Sequence, residues 1–307
     1  MRIKEKITLY AQALRVNQWI KNFIVFTAIT FTGKLFVTNL FFITAAAFFI
    51  FCFLSSASYI LNDIIDYPYD QKHPVKKNRP IASGKVGLQQ ATFLVFILTV
   101  ATLVVSLSLS LAFFFLCLAF ILLHFFYSLY LKKYPTIDIF TISFSFMIRA
   151  FAGEVATGYH IPIWLLLTIF FISLFMASVK RQAELILHGQ ETRESLMFYK
   201  AHYLDFLTYT FATATILAYS TYTYLVKPPQ VATIFSSYLG QFFPGFEARK
   251  WMMLTIPFVV YGVVRYAQLL YEREEGERPE KIITQDLPLI ITIGLWGGII
   301  ISFIYIL

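Results

Sequence analysis

The sequence predicts an all-α membrane protein, a bundle of about nine transmembrane helices that forms a single polytopic domain over residues 1–307. Three observations support this fold class. Of the 307 residues, 58% are hydrophobic and 14% are charged, with a mean hydropathy of +0.69, whereas a soluble domain carries about 25% charged residues. Long apolar runs recur along the chain, and short basic segments separate many of them. One soluble core would not hide this much apolar surface, so lipid must cover much of it.

Nine stretches come close to the length of about 20 apolar residues that a helical span needs. The first is weak because Lys21 and Asn22 interrupt it, and the third and fourth are separated only by a tight turn around residues 108–110. The runs lack the two-residue alternation of barrel strands, which excludes a transmembrane β-barrel. In chain order, the predicted spans are 17–33, 39–61, 88–108, 110–131, 136–157, 162–187, 203–226, 251–271 and 286–306.

The distribution of basic residues predicts how these spans are oriented. With a cytoplasmic N-terminus, 20 of the 25 Lys and Arg residues fall on the cytoplasmic side, in line with the positive-inside rule. The charged start of the chain lacks the cleavage site of a signal peptide. We therefore expect a multi-pass protein of the cell (inner) membrane with its N-terminus and active site in the cytoplasm. The net charge of +8 does not indicate nucleic acid, because the basic residues alternate with spans.

A cluster of carboxylates follows the second apolar stretch. Asp63, Asp66 and Asp70 fall within eight positions, and this spacing places them on one face of a helix. Carboxylates so close together repel one another unless a cation lies between them. Oxygen ligands suit Mg²⁺, which also shares the phosphates of a substrate, so we predict a Mg²⁺ site to which Asn62 adds a ligand. Because Pro68 is expected to end the helix, Asp70 would approach from a loop.

A basic segment adjoins the carboxylates in the same cytoplasmic connection. It contains Lys72, Lys76, Lys77 and Arg79. Cytoplasmic loops are basic in general, and a solvated acidic helix end would by itself account for some carboxylates. That simpler interpretation predicts neither the spacing of the acids nor the basic segment beside them. Together the two groups predict binding of a phosphorylated ligand, with Arg79 as a planar fork and the lysines as point charges.

Other polar and charged residues lie at the cytoplasmic ends of later spans or inside spans. Within the fifth span, Arg149 and Glu154 are isolated charges. Charges inside a membrane are usually functional, and a structural ion pair with another helix is the open alternative. The candidate substrate-binding residues of the whole chain are Lys21, Asn62, Lys72, Lys76, Lys77, Arg79, Tyr127, Lys132, Arg149, Lys180, Arg181 and Glu184.

The pattern Asn62-Asp63-x-x-Asp66-x-x-x-Asp70 after a second transmembrane helix resembles the first aspartate motif of the UbiA-type intramembrane prenyltransferases. The resemblance covers nearly the whole chain and implies a UbiA-like bundle with this motif on the cytoplasmic side. Aromatic prenyltransferases of that superfamily have a second aspartate-rich motif after the sixth helix, which holds more Mg²⁺. In this sequence the segment Lys180-Arg181-Gln182-Ala183-Glu184 stands in that place.

A narrower resemblance is to the decaprenyl-phosphate phosphoribosyltransferase branch of the same superfamily. It is carried by His73-Pro74-x-Lys76-Lys77-x-Arg79-Pro80, Tyr127-Ser128, Arg149-Ala150-Phe151-Ala152-Gly153 and Pro279-Glu280. It implies a membrane-embedded glycosyltransferase that moves 5-phosphoribosyl from phosphoribosyl diphosphate to a polyprenyl (decaprenyl) phosphate. Mg²⁺ is the implied cofactor, diphosphate is released, and the product feeds lipid-linked arabinose synthesis. The sequence departs from this branch at Tyr69 and Gln71, where a more polar pair is expected.

The resemblance also implies roles for the candidate residues. Asp63, Asp66 and Asp70 would be the catalytic residues and would bind Mg²⁺ together with Asn62. The basic segment after them would hold the donor phosphates, and Tyr127 and Lys132 would close the same pocket. The acceptor phosphate would be held by Lys21, Lys180 and Arg181.

Two other functions remain open at this point. A UbiA-type prenyltransferase would move a polyprenyl chain from prenyl diphosphate to an aromatic acceptor, and its mark would be a second acidic motif. A lipid carrier or transporter would place charges along a path across the bilayer, whereas here they gather at one face. The sequence is compatible with an oligomer and leaves the chain length of the acceptor lipid open.

Overall fold

The computed structural model describes residues 3–72, 76–188, 199–227, 229, 251–273 and 285–306, and all regular structure in these ranges is helical. Short 3-10 helices cover Val16–Phe26, Lys76–Asn78, Leu131–Lys133 and Met253–Thr255. The α-helices in chain order are α1 (Ile3–Ala13), α2 (Thr27–Phe31), α3 (Thr38–Ile65), α4 (Tyr67–Asp70), α5 (Leu88–Ser106), α6 (Leu111–Leu129), α7 (Ile137–Thr157), α8 (Ile163–His188), α9 (Ala201–Leu225), α10 (Ile256–Arg273) and α11 (Leu287–Tyr305).

Six of these helices are long and apolar enough to cross a membrane, namely α3, α5, α6, α7, α8 and α11. The all-α membrane fold is therefore confirmed, but the count of nine spans is not confirmed in the described part of the chain. The predicted first span is instead the 3-10 helix followed by the five-residue α2. Helix α9 is long enough to cross but rich in Thr and Tyr. The apolar stretch Met253–Leu269, which includes most of α10, is short.

The bundle is held together by apolar clusters between these helices. Phe51 of α3 packs with Phe113 of α6 in one cluster, and Phe175 of α8 is buried in a second cluster with residues of α7, α9, α10 and α11. The 3-10 helix Val16–Phe26 crosses α7 at Gly153, where an added Cβ would overlap the carbonyl oxygen of Val25. A glycine at this position lets the two backbones approach closely.

Large apolar side chains cover the outside of the bundle. On α5, Phe93 and Phe96 are 65% and 62% exposed. Outward-facing phenylalanines at this density would be an aggregation hazard in water, whereas lipid solvates them. The exposed surface therefore agrees with a multi-pass membrane protein.

The aspartate motif spans the junction of α3 and α4. Helix α3 continues past the predicted boundary at 61, so that Asn62 and Asp63 lie in its last turn. It ends at Ile65, and α4 begins with Pro68 in its first turn, where the missing N–H of proline would have no partner in any case. Asp70 consequently lies on a short helix and not in a loop. The motif residues His73-Pro74 and Pro279-Glu280 lie outside the described residues.

Candidate active site

The carboxylates of the aspartate motif lie at the end of α3 and on the short α4 that follows it. Asp63 and Asp70 are each only 4% exposed, and Asp66, the C-cap of α3, remains about one-quarter exposed. Asn62 Nδ2 donates a hydrogen bond of 2.9 Å to Asp66 Oδ2. The structure thus brings all four predicted metal-binding residues to one junction between two helices.

Arg79 connects two of these carboxylates. Its Nη1 atom donates to Asp63 Oδ1 at 2.9 Å and to Asp70 Oδ2 at 2.7 Å. The two oxygens therefore converge on a single positively charged nitrogen. The basic segment that the sequence placed beside the acids is, at this residue, in direct contact with them.

Lys132 binds the third aspartate of the motif, and Arg15 binds the same oxygen of Asp63 as Arg79 does. Lys132 Nζ donates to Asp66 Oδ1 at 2.5 Å and lies 3.4 Å from Asn62 Oδ1. Arg15 Nη2 donates to Asp63 Oδ1 at 2.5 Å. Each aspartate of the motif is thereby paired with a cation that another part of the chain supplies.

The donor set fits a divalent cation. Among the described residues, no three His, Cys, Asp or Glu side chains are grouped closely enough to hold a metal. Asp63 and Asp70 nevertheless direct one oxygen each at the same Arg79 nitrogen, and oxygen-only ligands of this kind suit Mg²⁺. A cation replacing that nitrogen would therefore meet two carboxylates at once.

Burial raises the pKa of Asp70 above its ordinary value of 3.8. The adjacent guanidinium of Arg79 acts in the opposite direction, and the charge of Asp63 raises the pKa further. Lys76 is near enough to lower the same pKa slightly. Even with these cations nearby, Asp70 therefore holds a proton more readily than an ordinary aspartate.

The other predicted lysines differ in exposure. Lys72 and Lys77 are exposed, and Lys21 is partly buried in the 3-10 helix before α2. Lys180 Nζ lies 3.9 Å from Glu184 Oε1 on α8. Exposed lysines such as Lys72 and Lys77 can bind a soluble anionic ligand as point charges.

A second polar cluster surrounds Arg181 on α8. Its side chain is 1% exposed, and its Nε donates to Asp138 Oδ2 at 2.7 Å. It also donates to Glu184 and lies 3.4 Å from the hydroxyl of Tyr127. Tyr199 donates a 2.8 Å hydrogen bond to the other oxygen of Asp138.

These contacts bear on the predicted role of Arg181 in the acceptor site. The sequence placed Arg181 among the cations available to a phosphate. In the structure its charge is balanced by Asp138 and Glu184, and a buried pair of this kind is costly to break. Arg181 therefore fixes the end of α8 against the start of α7, and a phosphate would have to compete with two carboxylates for it.

Arg149 is buried in the membrane part of the bundle and is bound by neutral groups. Its Nε donates to Asn22 Oδ1 at 2.6 Å, and its Nη2 lies 3.2 Å from Ser55 Oγ. The guanidinium also stacks near Phe120 and Phe146. Within the described ranges no carboxylate pairs with Arg149, so the interpretation as a structural ion pair does not hold there. Glu154 instead contacts His160.

Sequence reasoning missed two residues of these clusters, Arg15 and Tyr199. Arg15 reaches Asp63 from 48 positions earlier in the chain, and Tyr199 reaches Asp138 from 61 positions later. Neither stands in a motif, and each is placed by tertiary contacts. The only signal for Arg15 was its position in a basic segment on the predicted cytoplasmic side.

The model of the UbiA prenyltransferase family matches residues 22–185. A decaprenyl-phosphate phosphoribosyltransferase of Corynebacterium glutamicum is 34% identical, over 96% of this chain and 86% of the relative. An enzyme of the same name from Mycolicibacterium smegmatis is also 34% identical, over 98% of this chain and 94% of the relative. Both alignments span almost the full length of both proteins.

Solved structures share the fold. A UbiA homolog from Archaeoglobus fulgidus bound to GPP and Mg²⁺ superposes with a TM-score of 0.69 at 16% identity, over 96% of this chain and 99% of that one. A structure titled for digeranylgeranylglyceryl phosphate synthase superposes with a TM-score of 0.64 at 20% identity, over 97% and 98% of the two chains. At these identities the likeness concerns the fold alone.

Proposed function

This chain belongs to the UbiA prenyltransferase family, and on that premise we propose that it is a polyprenyl-phosphate phosphoribosyltransferase. It transfers 5-phosphoribosyl from phosphoribosyl diphosphate to a polyprenyl phosphate and releases diphosphate. The observation that carries the proposal is the near full-length match, at 34% identity, to relatives named decaprenyl-phosphate phosphoribosyltransferase. The segment around Arg181 also supports the proposal. Where aromatic prenyltransferases have a second aspartate-rich motif, this chain has Arg181, whose charge is paired with Asp138 and Glu184.

Asp63, Asp66 and Asp70, with Asn62, would hold Mg²⁺. The ion would neutralise the charge that develops on the diphosphate leaving group. For these oxygens to become available, Arg79 and Lys132 must leave the carboxylates to which they are bound. Both cations would then be available to bind the donor's phosphates.

The donor would be enclosed by residues of two connections. The basic segment after α4 would supply cations for its phosphates, and the end of α6 and the 3-10 helix after it would supply Tyr127 and Lys132. As the bond between C1 of the ribose and the diphosphate oxygen lengthens, positive charge grows on the sugar ring, and the carboxylate of Asp66 or Asp70 stabilises it. The donor-binding residues in this proposal are Lys72, Lys76, Lys77, Arg79, Tyr127 and Lys132.

The acceptor phosphate attacks from the opposite face of the ribose. One of its oxygens forms the new bond to C1 while the bonding electron pair leaves with diphosphate, so the configuration at C1 inverts. The acceptor oxygen is already ionised near neutral pH, and no general base is needed. Lys21 and Lys180 would bind this phosphate, whereas Arg181 and Glu184 would hold the wall of the pocket through their mutual contact.

The protein would function as one polytopic domain of the cell (inner) membrane, with its N-terminus and this site in the cytoplasm. A soluble sugar phosphate and a lipid phosphate meet only at a membrane surface, and the basic residues gather on the side that the positive-inside rule assigns to the cytoplasm. The acceptor's tail would leave the site between helices.

A transfer assay with two donors tests the proposal. Purified protein is given Mg²⁺, a polyprenyl phosphate and either ribose-labelled phosphoribosyl diphosphate or a labelled prenyl diphosphate. We expect label in the lipid and release of diphosphate only with the first donor, and loss of transfer in Asp63→Asn. Glu154→Gln, a carboxylate change at the far end of α7, is the matched control. Consumption of the prenyl diphosphate with an aromatic acceptor would favour prenyl transfer instead.

A further inference from the structure

Two guanidinium groups converge on one oxygen of Asp63. Arg15 Nη2 lies 2.5 Å and Arg79 Nη1 lies 2.9 Å from Asp63 Oδ1. A single carboxylate cannot balance two guanidinium charges, and Arg79 also has Asp70, whereas the carboxylate contact of Arg15 is to Asp63. Together Arg15 and Arg79 balance Asp63 and Asp70. If a metal ion took Asp63, Arg15 would lose its carboxylate partner, and a further anion at this position would stabilise its charge.

The backbone of Arg15 has an unusual conformation. Its φ and ψ angles are 51° and 49°, which is the left-handed region that residues with a Cβ rarely adopt. Such conformations persist where surrounding contacts impose them, and they concentrate at functional sites. Arg15 lies two positions after the end of α1 and is the N-cap of the 3-10 helix Val16–Phe26, so this conformation sets the direction of its side chain.

Several contacts impose that conformation. Ser56 Oγ on α3 donates to the carbonyl oxygen of Leu14 at 2.7 Å and accepts from Trp19 Nε1 at 3.0 Å. The Arg15 guanidinium lies 5.0 Å from the centre of the Tyr59 ring. The turn is thus fixed on both sides to the helix that carries the aspartate motif.

The helix α1 is fixed to the same region. Its Leu9 is buried in a cluster with Ile60 of α3 and with Ile81, which follows Arg79 by two positions. One cluster thereby joins the N-terminal helix, the motif helix and the basic connection. Arg15 and Arg79 are held at the mouth of the site by a common apolar support.

We propose that Arg15 is a phosphate-binding residue of the donor site, which Asp63 holds in position until the metal and the donor bind. When Asp63 turns to the metal, Arg15 stays in place through Tyr59 and the anchored turn, and its guanidinium binds a phosphate oxygen of the donor. Planar guanidinium groups suit phosphate oxygens. The identity of the donor rests on the proposed function. The change of partner for Arg15, from Asp63 to a phosphate oxygen, does not.

The donor carries phosphate at two places, the diphosphate on C1 and the phosphate on C5. A prenyl diphosphate carries it at one end only. The chemistry that Arg15 recognises is the same at either end, and separate probes distinguish them. Inorganic diphosphate represents the first end and ribose 5-phosphate the second.

The exchange predicts opposite effects on metal and phosphate binding. In Arg15→Gly, a residue that adopts the left-handed conformation freely, one competitor for Asp63 is lost. Mn²⁺, measured by electron paramagnetic resonance without donor, should bind at least as tightly as in the unmodified protein. Binding of one phosphate probe in the presence of Mn²⁺ should weaken by about 10- to 100-fold, the loss expected for a charge-assisted hydrogen bond. Arg15→Lys should recover part of that loss.

Lys85→Ala is the matched control, because it removes one exposed positive charge from the connection that carries Arg79. It should leave both Mn²⁺ and phosphate binding unchanged. Weakened diphosphate binding in Arg15→Gly assigns Arg15 to the C1 end, and weakened ribose 5-phosphate binding assigns it to the C5 end.

Unchanged binding of both probes would overturn the inference. A parallel loss of Mn²⁺ and phosphate binding would also overturn it, since that is the result of a purely structural role. The two proposals can fail separately. If the unmodified protein transfers no phosphoribosyl group, the proposed function fails. If Arg15→Gly nevertheless binds Mn²⁺ as tightly and a phosphate probe more weakly, the inference about Arg15 stands.

Discussion

At the scale of single residues, charge balance distinguishes two kinds of arginine in this protein. Arg79 is about one-quarter exposed and binds carboxylates that a metal would take over. Arg181 is buried and is balanced by two carboxylates of its own cluster. The first can exchange its partners for phosphate oxygens at little cost, whereas the second would leave buried charges unpaired. A list of basic residues drawn from sequence alone does not make this distinction.

The raised pKa of Asp70 predicts how metal binding responds to acid. Its folded-state pKa lies above 3.8 because of burial, so Asp70 takes up a proton at a higher pH than an ordinary aspartate. As the pH falls, Mn²⁺ affinity should begin to weaken above the usual aspartate range. Folding also favours the protonated form, so the contribution of Asp70 to stability rises as the pH falls through its folded pKa.

Asp70→Asn separates this effect from other acid effects. The variant should bind Mn²⁺ more weakly at neutral pH, and the remaining acid-dependent loss should shift to lower pH. The measurement is a series of Mn²⁺ titrations between neutral and acidic pH by electron paramagnetic resonance. Identical pH profiles in the two proteins would show that Asp70 is not a ligand.

The aspartate site could be predicted from sequence because its residues are close together along the chain. Asn62, Asp63 and Asp66 fall within little more than one turn of α3, and Asp70 follows on α4. Arg15 could not be predicted, because it depends on a left-handed turn and on contacts with α3 more than 40 positions away. Spacing along the sequence shows which residues group on one helix. It does not show which distant residues the fold brings to them.

At the scale of elements, the crossing between the 3-10 helix and α7 positions the buried polar groups below the site. Arg149 of α7 binds Asn22 of the 3-10 helix, and Asn22 in turn accepts from Ser55 of α3. Gly153 lies one turn further along α7 and contacts the backbone at Val25. Close packing at Gly153 therefore sets the distance across which these hydrogen bonds form.

Gly153→Ala should destabilise the protein and disturb this network. The added methyl group meets a carbonyl oxygen and not a flexible side chain, and overpacking of this kind costs about 1–3 kcal/mol. The thermal unfolding midpoint in detergent should fall. Gly294→Ala on α11 is the control, because an added Cβ there has open space around it. An equal effect of both substitutions would contradict the close crossing.

The pair of Arg181 and Asp138 joins α8 to α7 and gives a second prediction for the elements. Arg181→Met leaves Asp138 buried without its cation and should cost about 3–5 kcal/mol. The double variant Asp138→Asn, Arg181→Met should recover much of this loss, because the fully buried charge of Asp138 is no longer left unpaired, while the more exposed Glu184 stays near Lys180. Lys180→Met, on the adjacent and more exposed side chain, should change the unfolding midpoint little. Additive losses in the double variant would contradict a coupled pair.

At the scale of the whole molecule, the apolar runs of the sequence predicted the positions of the membrane helices more accurately than the number of helices. Six predicted spans correspond to helices that are long and apolar enough to cross. The first predicted span fails because Lys21 and Asn22 divide it, and Asn22 is drawn into the core by Ser55 and Arg149. A count of apolar residues does not reveal that a polar residue is satisfied by partners on other helices.

The orientation in the membrane can be tested with introduced cysteines. The native Cys52 and Cys117 are buried and should give little background labelling. Lys85 and Lys227 are exposed at opposite ends of the bundle. An impermeant thiol reagent should label Lys85→Cys in inside-out vesicles and Lys227→Cys in intact cells. The reverse pattern would place the candidate active site on the other side of the membrane.

The central claim is that the aspartates at the end of α3 hold a divalent ion that carries the donor's diphosphate. Electron–nuclear double resonance on the Mn²⁺-loaded protein measures this directly, because phosphorus bound to the ion gives a resolved hyperfine coupling. We expect a ³¹P coupling to appear when phosphoribosyl diphosphate is added, and to be lost in Asp63→Asn. A ³¹P coupling that persists in that variant, or none in the unmodified protein with bound donor, would contradict the account.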